Sequence, residues 1–107
     1  MKIANTPQVP YYAVIFTSIK RNNTPQYNAM AETLINIAQE QKGFLGIESA
    51  RNEIGITVSY WKSLEAIQAW KQHSQHIIAQ EKGKSEWYKH YKTRICKVER
   101  DYEFFSL

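Results

Sequence analysis

The stretch SYWKSLEAIQAWKQHSQH, residues 59–76, holds two of the three tryptophans and two of the three histidines of the chain. Trp70, His73 and His76 follow one another at intervals of three, so on a helix successive members would be neighbours. A histidine with an ordinary pKa of about 6.5 is largely neutral near pH 7 and can remove a proton, and tryptophan offers a flat apolar wall. The pattern predicts a site in which His76 and Trp70 act on a ligand, or else one side of a core.

A metal site is not expected from these histidines. His73 and His76 are three residues apart rather than four, and no third ligand can be named. Cys96 is the single cysteine, so the chain can form no internal disulfide and lacks the cysteine partners of a zinc site. We expect Cys96 to be a small buried strand residue. His73 is predicted to be either a pocket residue or a residue of the helix surface.

Aromatic residues make up 13% of the chain, more than a small core needs, so some are expected to line a cavity or a subunit contact. Glu48, Arg51 and Arg94 fall within or at the ends of predicted strands, where a charge must reach solvent, find a partner or face a cavity. An Arg94–Glu48 pair, in the pocket or between two copies, is one solution. Each of the following candidate pocket residues has core packing as its alternative: Tyr12, Phe16, Tyr60, Trp61, His73, Trp87, Tyr91 and Arg94.

Length and composition predict one soluble domain. The chain has 107 residues, of which 43% are hydrophobic and 22% charged, and no segment approaches the roughly 20 apolar residues of a membrane span. We expect a cytoplasmic protein that binds no membrane. The net charge is +4, but the basic residues near the end of the chain alternate with acidic ones, which favours a solvated face over nucleic-acid binding.

The pattern of apolar residues predicts the order β-α-β-β-α-β within one domain over residues 1–107, with a flexible arm over 1–8 and a core over 9–103. In the first strand, alternation puts Tyr12, Val14 and Phe16 on one face and Tyr11, Ala13 and Ile15 on the other. A helix is predicted to begin at Thr24 and Pro25 and to be capped by Gly43. The second helix is expected to be capped by Ser63, with Leu64 and Ile67 on its inner face and a possible break near Ser74. The sequence SEWY is predicted to form one more helical turn before the last strand.

This order is the ferredoxin-like split β-α-β arrangement of the α+β class, with a four-stranded antiparallel sheet. Two helices can cover only one face of that sheet. Because the first strand is apolar on both faces, the other face needs a partner, and a second copy of the chain is the most economical one. The sequence therefore predicts a homodimer.

Three segments carry a resemblance to a known family: KGFLGIES, GITVSYW and SLEAIQAWKQHSQH. Together they resemble the antibiotic biosynthesis monooxygenases, which are homodimeric α/β barrels, over roughly residues 9–103. Gly43-Phe44, Trp61, Glu65-Ala66 and His76 fit the family pattern. The resemblance implies a cavity between helices and sheet, and oxygenation of a small aromatic, quinol-like or polyketide substrate without metal or flavin. The alternative is a dimeric small-molecule binding or stress-response module without turnover.

A related branch of the family degrades haem, and the match to it is incomplete. Trp70 stands where that branch carries its pocket tryptophan. Gln80 stands where the haem-ligating histidine would be, and Phe16 lies near the position of an asparagine in the first strand. Because two of the three signature residues are missing, the resemblance disfavours haem, and we expect no cofactor.

Overall fold

The computed structural model describes residues 2–21, 25–80 and 87–107 and has the predicted order of elements. The strands are β1 (Tyr11–Lys20), β2 (Phe44–Arg51), β3 (Gly55–Trp61) and β4 (Tyr88–Val98), and the helices are α1 (Pro25–Gln39) and α2 (Leu64–Gln80). All pairings are antiparallel in the order β2-β3-β1-β4, which puts β1 in the interior and β2 and β4 at the edges. The predicted ferredoxin-like α+β fold is confirmed.

The two faces of the sheet follow from alternation along β1. Tyr12, Val14, Phe16 and Ser18 lie on the helix face, the side covered by α1 and α2, where Phe16 packs against a cluster that includes Tyr27 of α1. The odd-numbered residues of β1 lie on the opposite side, which we call the open face: Tyr11, Ala13, Ile15, Thr17 and Ile19. The predicted separation of the two sets is confirmed.

One prediction fails on the open face. Cys96 pairs with Ala13 in the register of β1 and β4, so its side chain is on the open face of an edge strand, and it is exposed rather than buried. The side chain is exposed because neither helix covers that side of the sheet.

Helix α2 is continuous from Leu64 to Gln80, without the break considered near Ser74. The Ser63 hydroxyl accepts a hydrogen bond from the backbone N–H of Ala66 at 3.1 Å, which confirms it as the cap. Ile67 is buried as expected, but Leu64 is 51% exposed because it occupies the first turn, ahead of the packed stripe. Within the described residues, neither helix is long and apolar enough to cross a membrane.

Helix α1 begins at Pro25 as predicted, whereas Thr24 and the residues of SEWY before Trp87 lie outside the described residues. The helix ends at Gln39, four residues before Gly43. Gly43 therefore serves the turn into β2 rather than the helix cap: its φ is 87°, and its carbonyl accepts a hydrogen bond from the N–H of Lys62 at 2.8 Å.

Gly43→Ala is expected to lower the free energy of unfolding by about 1–3 kcal/mol. A side chain is strained at positive φ, and the added methyl group would overpack the approach of Gly43 to Ala66. A Cβ atom at position 43 would lie 2.7 Å from the Cβ atom of Ala66 on α2. Urea denaturation monitored by tryptophan fluorescence measures the change. Lys42→Ala, at the exposed neighbouring position, is the control, and equal stability of the two variants would contradict the prediction.

Candidate functional site

Trp61 anchors one end of the helix face. It closes β3, has 0% of its surface exposed, and donates from its indole Nε1 to the hydroxyl of Ser59 at 2.9 Å. Phe44 of the adjacent strand meets the indole edge-on at 5.5 Å between ring centroids. Alternation along β3 places Ser59 and Trp61 on the same face, so the buried N–H finds its acceptor two residues away.

Trp70 extends this anchor into the layer between α2 and the sheet. Its ring stacks on Trp61 with centroids 6.0 Å apart and an interplanar angle of 23°. The position follows from the helix, since Trp70 lies nearly one turn after the buried Ile67 and is itself half-buried. The imidazole of His73 lies 6.1 Å from the Trp70 ring, so an exposed proton acceptor stands at the outer edge of the tryptophan stack.

His76 does not join this group. It follows the buried Ile67 by nine positions, or about two and a half turns, and therefore lies on the opposite side of α2, where it is exposed. His76 and Trp70 therefore lie on different sides of α2, and a catalytic role for His76 stays a prediction. The spacing of three joins His73 to Trp70 but carries His76 too far around the helix.

A second aromatic cluster occupies the other end of the helix face. Phe16 contacts Tyr88 and Tyr91 with centroids 5.5 and 5.3 Å away, and Tyr27 contacts both Tyr88 and the buried Trp87. Of the predicted wall residues, Phe16, Trp87 and Tyr91 thus meet here, while Tyr12 lies next to Trp61 in the register of β1 and β3.

Tyr88 was not among the predicted site residues. Its hydroxyl accepts a hydrogen bond from Tyr27 at 3.3 Å, and burial, assisted by that contact, raises the pKa of Tyr88 well above its ordinary value. It therefore stays a neutral phenol.

Phe16, which stands near the asparagine position of the haem-degrading branch, is enclosed in this cluster and has no hydrogen-bonding group in its side chain. Together with the exposed His76, this does not fit a haem site of that branch.

Between the two aromatic ends, the strands present a short line of hydroxyl groups. Ser59 is buried, whereas the hydroxyl oxygens of Ser49 and Thr57 lie 2.9 Å apart in an exposed hydrogen bond across β2 and β3. Alternation in GITVSYW puts Thr57, Ser59 and Trp61 on one face, so this polar floor could have been identified from the sequence.

Arg51 was noted as a charged strand residue but not as part of a pocket. Its guanidinium crosses the helix face from β2 to β1 and donates to the hydroxyl and the carbonyl oxygen of Ser18, which is 2% exposed. It passes over Gly55, where any Cβ atom would collide with it. Burial, with the adjacent Arg51 charge, lowers the pKa of Lys20 from its ordinary value. This end of the helix face is therefore electropositive.

Two predicted pocket residues lie on the open face instead. Tyr60 directly precedes Trp61, so alternation turns it away from the helices, and its hydroxyl donates to Glu48 at 2.6 Å. Arg94 pairs with Ile15 on the same open face. Because β4 and β2 are opposite edges, two strands separate Arg94 from Glu48 within one chain, about 14 Å at normal strand spacing. A pair inside one pocket is wrong, and a pair between two copies stays a prediction.

Among residues 2–21, 25–80 and 87–107, no three His, Cys, Asp or Glu side chains are placed to hold a metal ion together. What the helix face does combine is an aromatic wall, a neutral phenol, a few hydroxyl groups, one peripheral imidazole and a cation. At the Trp61 end, the tryptophan stack and the imidazole at its edge can contact a small planar molecule and accept a proton from it.

Comparison with known proteins connects this arrangement to a family. Residues 14–97 match the family described as monooxygenase af470-like. The chain belongs to this family. It is also 49% identical over 100 residues to the uncharacterized protein YqjZ of Bacillus subtilis (strain 168), a match that covers 92% of this chain and 88% of that protein.

Solved structures share the fold at low sequence identity. SnoaB from Streptomyces nogalater, described as a cofactor-independent oxygenase, superposes with a TM-score of 0.62 at 6% identity, covering 89% of this chain and 97% of SnoaB. A candidate antibiotic biosynthesis monooxygenase from Nitrosomonas europaea gives a TM-score of 0.61 at 12% identity, covering 83% of this chain and 89% of that one. The resemblance to the antibiotic biosynthesis monooxygenases is thereby confirmed for the fold and the monooxygenase-type domain family.

The Trp61–Ser59 contact yields a prediction for this family member. Ser59→Ala should lower the free energy of unfolding by about 1–2 kcal/mol, because it leaves a buried indole N–H without an acceptor. In a Trp61→Phe background the same change should cost much less, since no N–H remains. Chemical denaturation of the four proteins of this double-mutant cycle measures the coupling, and strictly additive effects would argue against the hydrogen bond as the cause.

Proposed function

We propose that this protein is a cofactor-independent monooxygenase that acts on a small aromatic substrate of the hydroquinone or anthrone type. The observation that carries the proposal is the Trp61–Trp70 stack with His73 at its edge, between α2 and the sheet. The family match and the likeness of fold to a cofactor-independent oxygenase support the same reaction class.

In the proposed reaction the substrate supplies the electrons. His73 removes a proton from an acidic C–H or O–H group, and the resulting anion transfers one electron to O2. The substrate radical and superoxide combine to a peroxide anion, which takes the proton back from His73, then loses water and leaves a carbonyl group. A methylene group and O2 thus give a carbonyl and water: one oxygen atom enters the product and the other leaves as water. The protein contributes deprotonation, positioning and exclusion of bulk water.

The rest of the helix face has a defined part in this scheme. The tryptophan stack is proposed to hold the aromatic ring of the substrate, and the hydroxyl groups of Ser49 and Thr57, which bond to each other across β2 and β3, are proposed to contact its oxygen atoms. Arg51 supplies positive charge at the far end, which favours the anionic form of the substrate. The active protein is proposed to be a homodimer joined through the open face, where Ile19 and Ile56 are 37% and 45% exposed.

Oxygen uptake tests the proposal. The assay uses metal-stripped, flavin-free protein and a panel of hydroquinones, anthrones and dihydroxynaphthalenes, and oxygen uptake is expected to exceed autoxidation. In His73→Ala the rate of uptake should fall at least about tenfold, because a general base typically contributes about 10²–10⁴-fold. His90→Ala is the matched control, because His90 pairs with Ile19 on the open face and is exposed. Trp70→Ala should lose activity with a raised KM.

His76→Ala decides between the two histidines. Loss of rate in His76→Ala with none in His73→Ala would return the base to the residue favoured by the sequence pattern. An unchanged rate in both would remove histidine from the scheme. No uptake across the panel, combined with saturable quenching of tryptophan fluorescence by the same compounds, would support the non-catalytic binding module instead.

Arg51→Gln is expected to raise KM at least about tenfold for substrates that carry an acidic hydroxyl or carboxyl group, because a charged hydrogen bond contributes more than a neutral one. Arg51→Lys keeps the positive charge but lacks the planar guanidinium group, so its KM should lie between those of the wild-type protein and Arg51→Gln. Steady-state oxygen uptake against substrate concentration separates KM from kcat. Equal loss for neutral, methylated analogues would show that Arg51 acts on the structure and not on the anion.

A further inference from the structure

The two helices cover the helix face unevenly. Helix α1 makes its main strand contact with β2, and α2 makes it with β3. Along the second half of the edge strand β4, the side chains of this face are open to solvent, and Ile95 is 52% exposed. We call three exposed residues of this face the β4 strip: Thr93, Ile95 and Lys97. Each of them pairs with a helix-face residue of β1, namely Phe16, Val14 and Tyr12 in that order.

The β4 strip meets the tryptophan stack in one row of the sheet. Trp61 of β3 pairs with Tyr12 of β1, and Tyr12 pairs with Lys97 of β4, so the three side chains lie on the same face. Two strand spacings separate the backbones at Trp61 and Lys97, about 10 Å. The half-buried Tyr12 lies between them, and the four-carbon stem of Lys97 can extend over that distance. An aromatic molecule that lies against Trp70 and over Tyr12 is therefore within reach of an ammonium group.

The cations of the helix face stand at its two ends. Arg51 donates to Ser18, three rows from Trp61 or about 20 Å along the strands. Lys97 stands in the row of Trp61 itself. Among the paired strand residues that the structure describes, Glu48 is the one carboxylate, and it lies on the open face. A ligand at the tryptophan stack therefore meets the positive charge of the sheet through Lys97.

A cation in this position suits the chemistry of the proposed reaction. When a hydroquinone or an anthrone loses a proton, the negative charge is carried by an oxygen atom of the substrate. A positive hydrogen-bond donor beside that oxygen stabilises the anion and the transition state that leads to it. A lysine ammonium has three N–H donors and no acceptor, so it can make this contact while the proton goes to His73.

We infer that Lys97 donates a hydrogen bond to the oxygen that becomes negative when the aromatic substrate loses its proton. This inference rests on the proposed function and deepens it, because it defines the substrate as a phenol or enol that is held as its anion. The proton moves from the substrate to His73, the electron pair stays on the substrate oxygen, and Lys97 remains protonated throughout. The β4 strip supplies the apolar Ile95 beside the ring.

Binding of an inert phenol tests the inference without turnover. The probe is 4-nitrophenol, whose anion absorbs visible light, and its methyl ether, 4-nitroanisole, is the matched ligand that cannot ionise. Tryptophan fluorescence quenching gives the dissociation constants, and visible absorbance gives the ionised fraction of the bound phenol. Wild-type protein is expected to bind the anion more tightly than the ether, and so to lower the apparent pKa of bound 4-nitrophenol.

Lys97→Met is expected to raise the dissociation constant of the anion about three- to tenfold, since Lys97 is exposed in the free protein and a partly solvated charge pair is modest in strength. It should also abolish the shift in the apparent pKa of the bound phenol. Binding of 4-nitroanisole should not change. Lys97→Arg keeps the positive charge and should preserve the preference for the anion.

Lys89→Met is the control variant, and it should bind both compounds as the wild-type protein does. Lys89 is an exposed lysine of the same strand, eight residues or about 25 Å from Lys97. The comparison therefore removes the same charge from the same strand at a place distant from the tryptophan stack.

The outcomes separate this inference from the proposed monooxygenase activity. Unchanged binding of the anion in Lys97→Met would overturn the role of Lys97, and so would an equal loss for 4-nitroanisole, which would show that the side chain acts through packing. The expected binding results without oxygen uptake on the hydroquinone panel would support the anion contact and refute the oxygenase reaction. Binding of neither compound to the wild-type protein would overturn both Lys97 and the tryptophan stack as a ligand site.

Discussion

The structure depends on one constraint: β1 lies inside the sheet and is apolar on both faces, while the two helices of the described residues, α1 and α2, cover one face. Both helices lie on one side, where the half-buried Phe16 packs against the buried rings of Tyr27, Trp87 and Tyr88. On the other side, Tyr11 and Ala13 are buried at the end crossed by the N-terminal arm, while Ile19 and Ile56 are exposed at the far end. The division into a helix side that can hold a small molecule and an open side suited to association follows from that arrangement.

The position of each candidate functional group then follows from the period of its element. Trp61 is fixed by close packing and by its hydrogen bond to Ser59, and this buried indole supports Trp70. Helical rotation brings the exposed His73 to the edge of the stack and carries His76, which is also exposed, to the side of α2 opposite Ile67. The hydroxyl floor comes from strand alternation, and Arg51 reaches it from the end of β2 only because Gly55 leaves room.

The order of the elements and the two faces of β1 could be predicted from the sequence, because both depend on local periodicity. The same periodicity also separates residues that were grouped together as pocket candidates. Tyr60 and Trp61 are adjacent in a strand and cannot share a face, and His76 lies half a helical turn out of phase with the buried Ile67. Other features depend on contacts distant in sequence. The exposure of Cys96, the reach of Arg51 to Ser18 and the contact between Tyr11 and Asp101 require knowledge of which strands are neighbours.

The close approach of α2 to the sheet connects stability to the candidate site. Gly43 and Ala66 meet so tightly that a Cβ atom at position 43 would lie 2.7 Å from the one at position 66. Ala66 is one helical turn before Trp70, so this contact sets the height at which α2 crosses β3. A larger residue at either position would lift the start of the helix and separate Trp70 from Trp61, and His73 would move with it. The small residues in the turn and in the first turns of α2 are therefore as necessary to the tryptophan stack as the indole rings themselves.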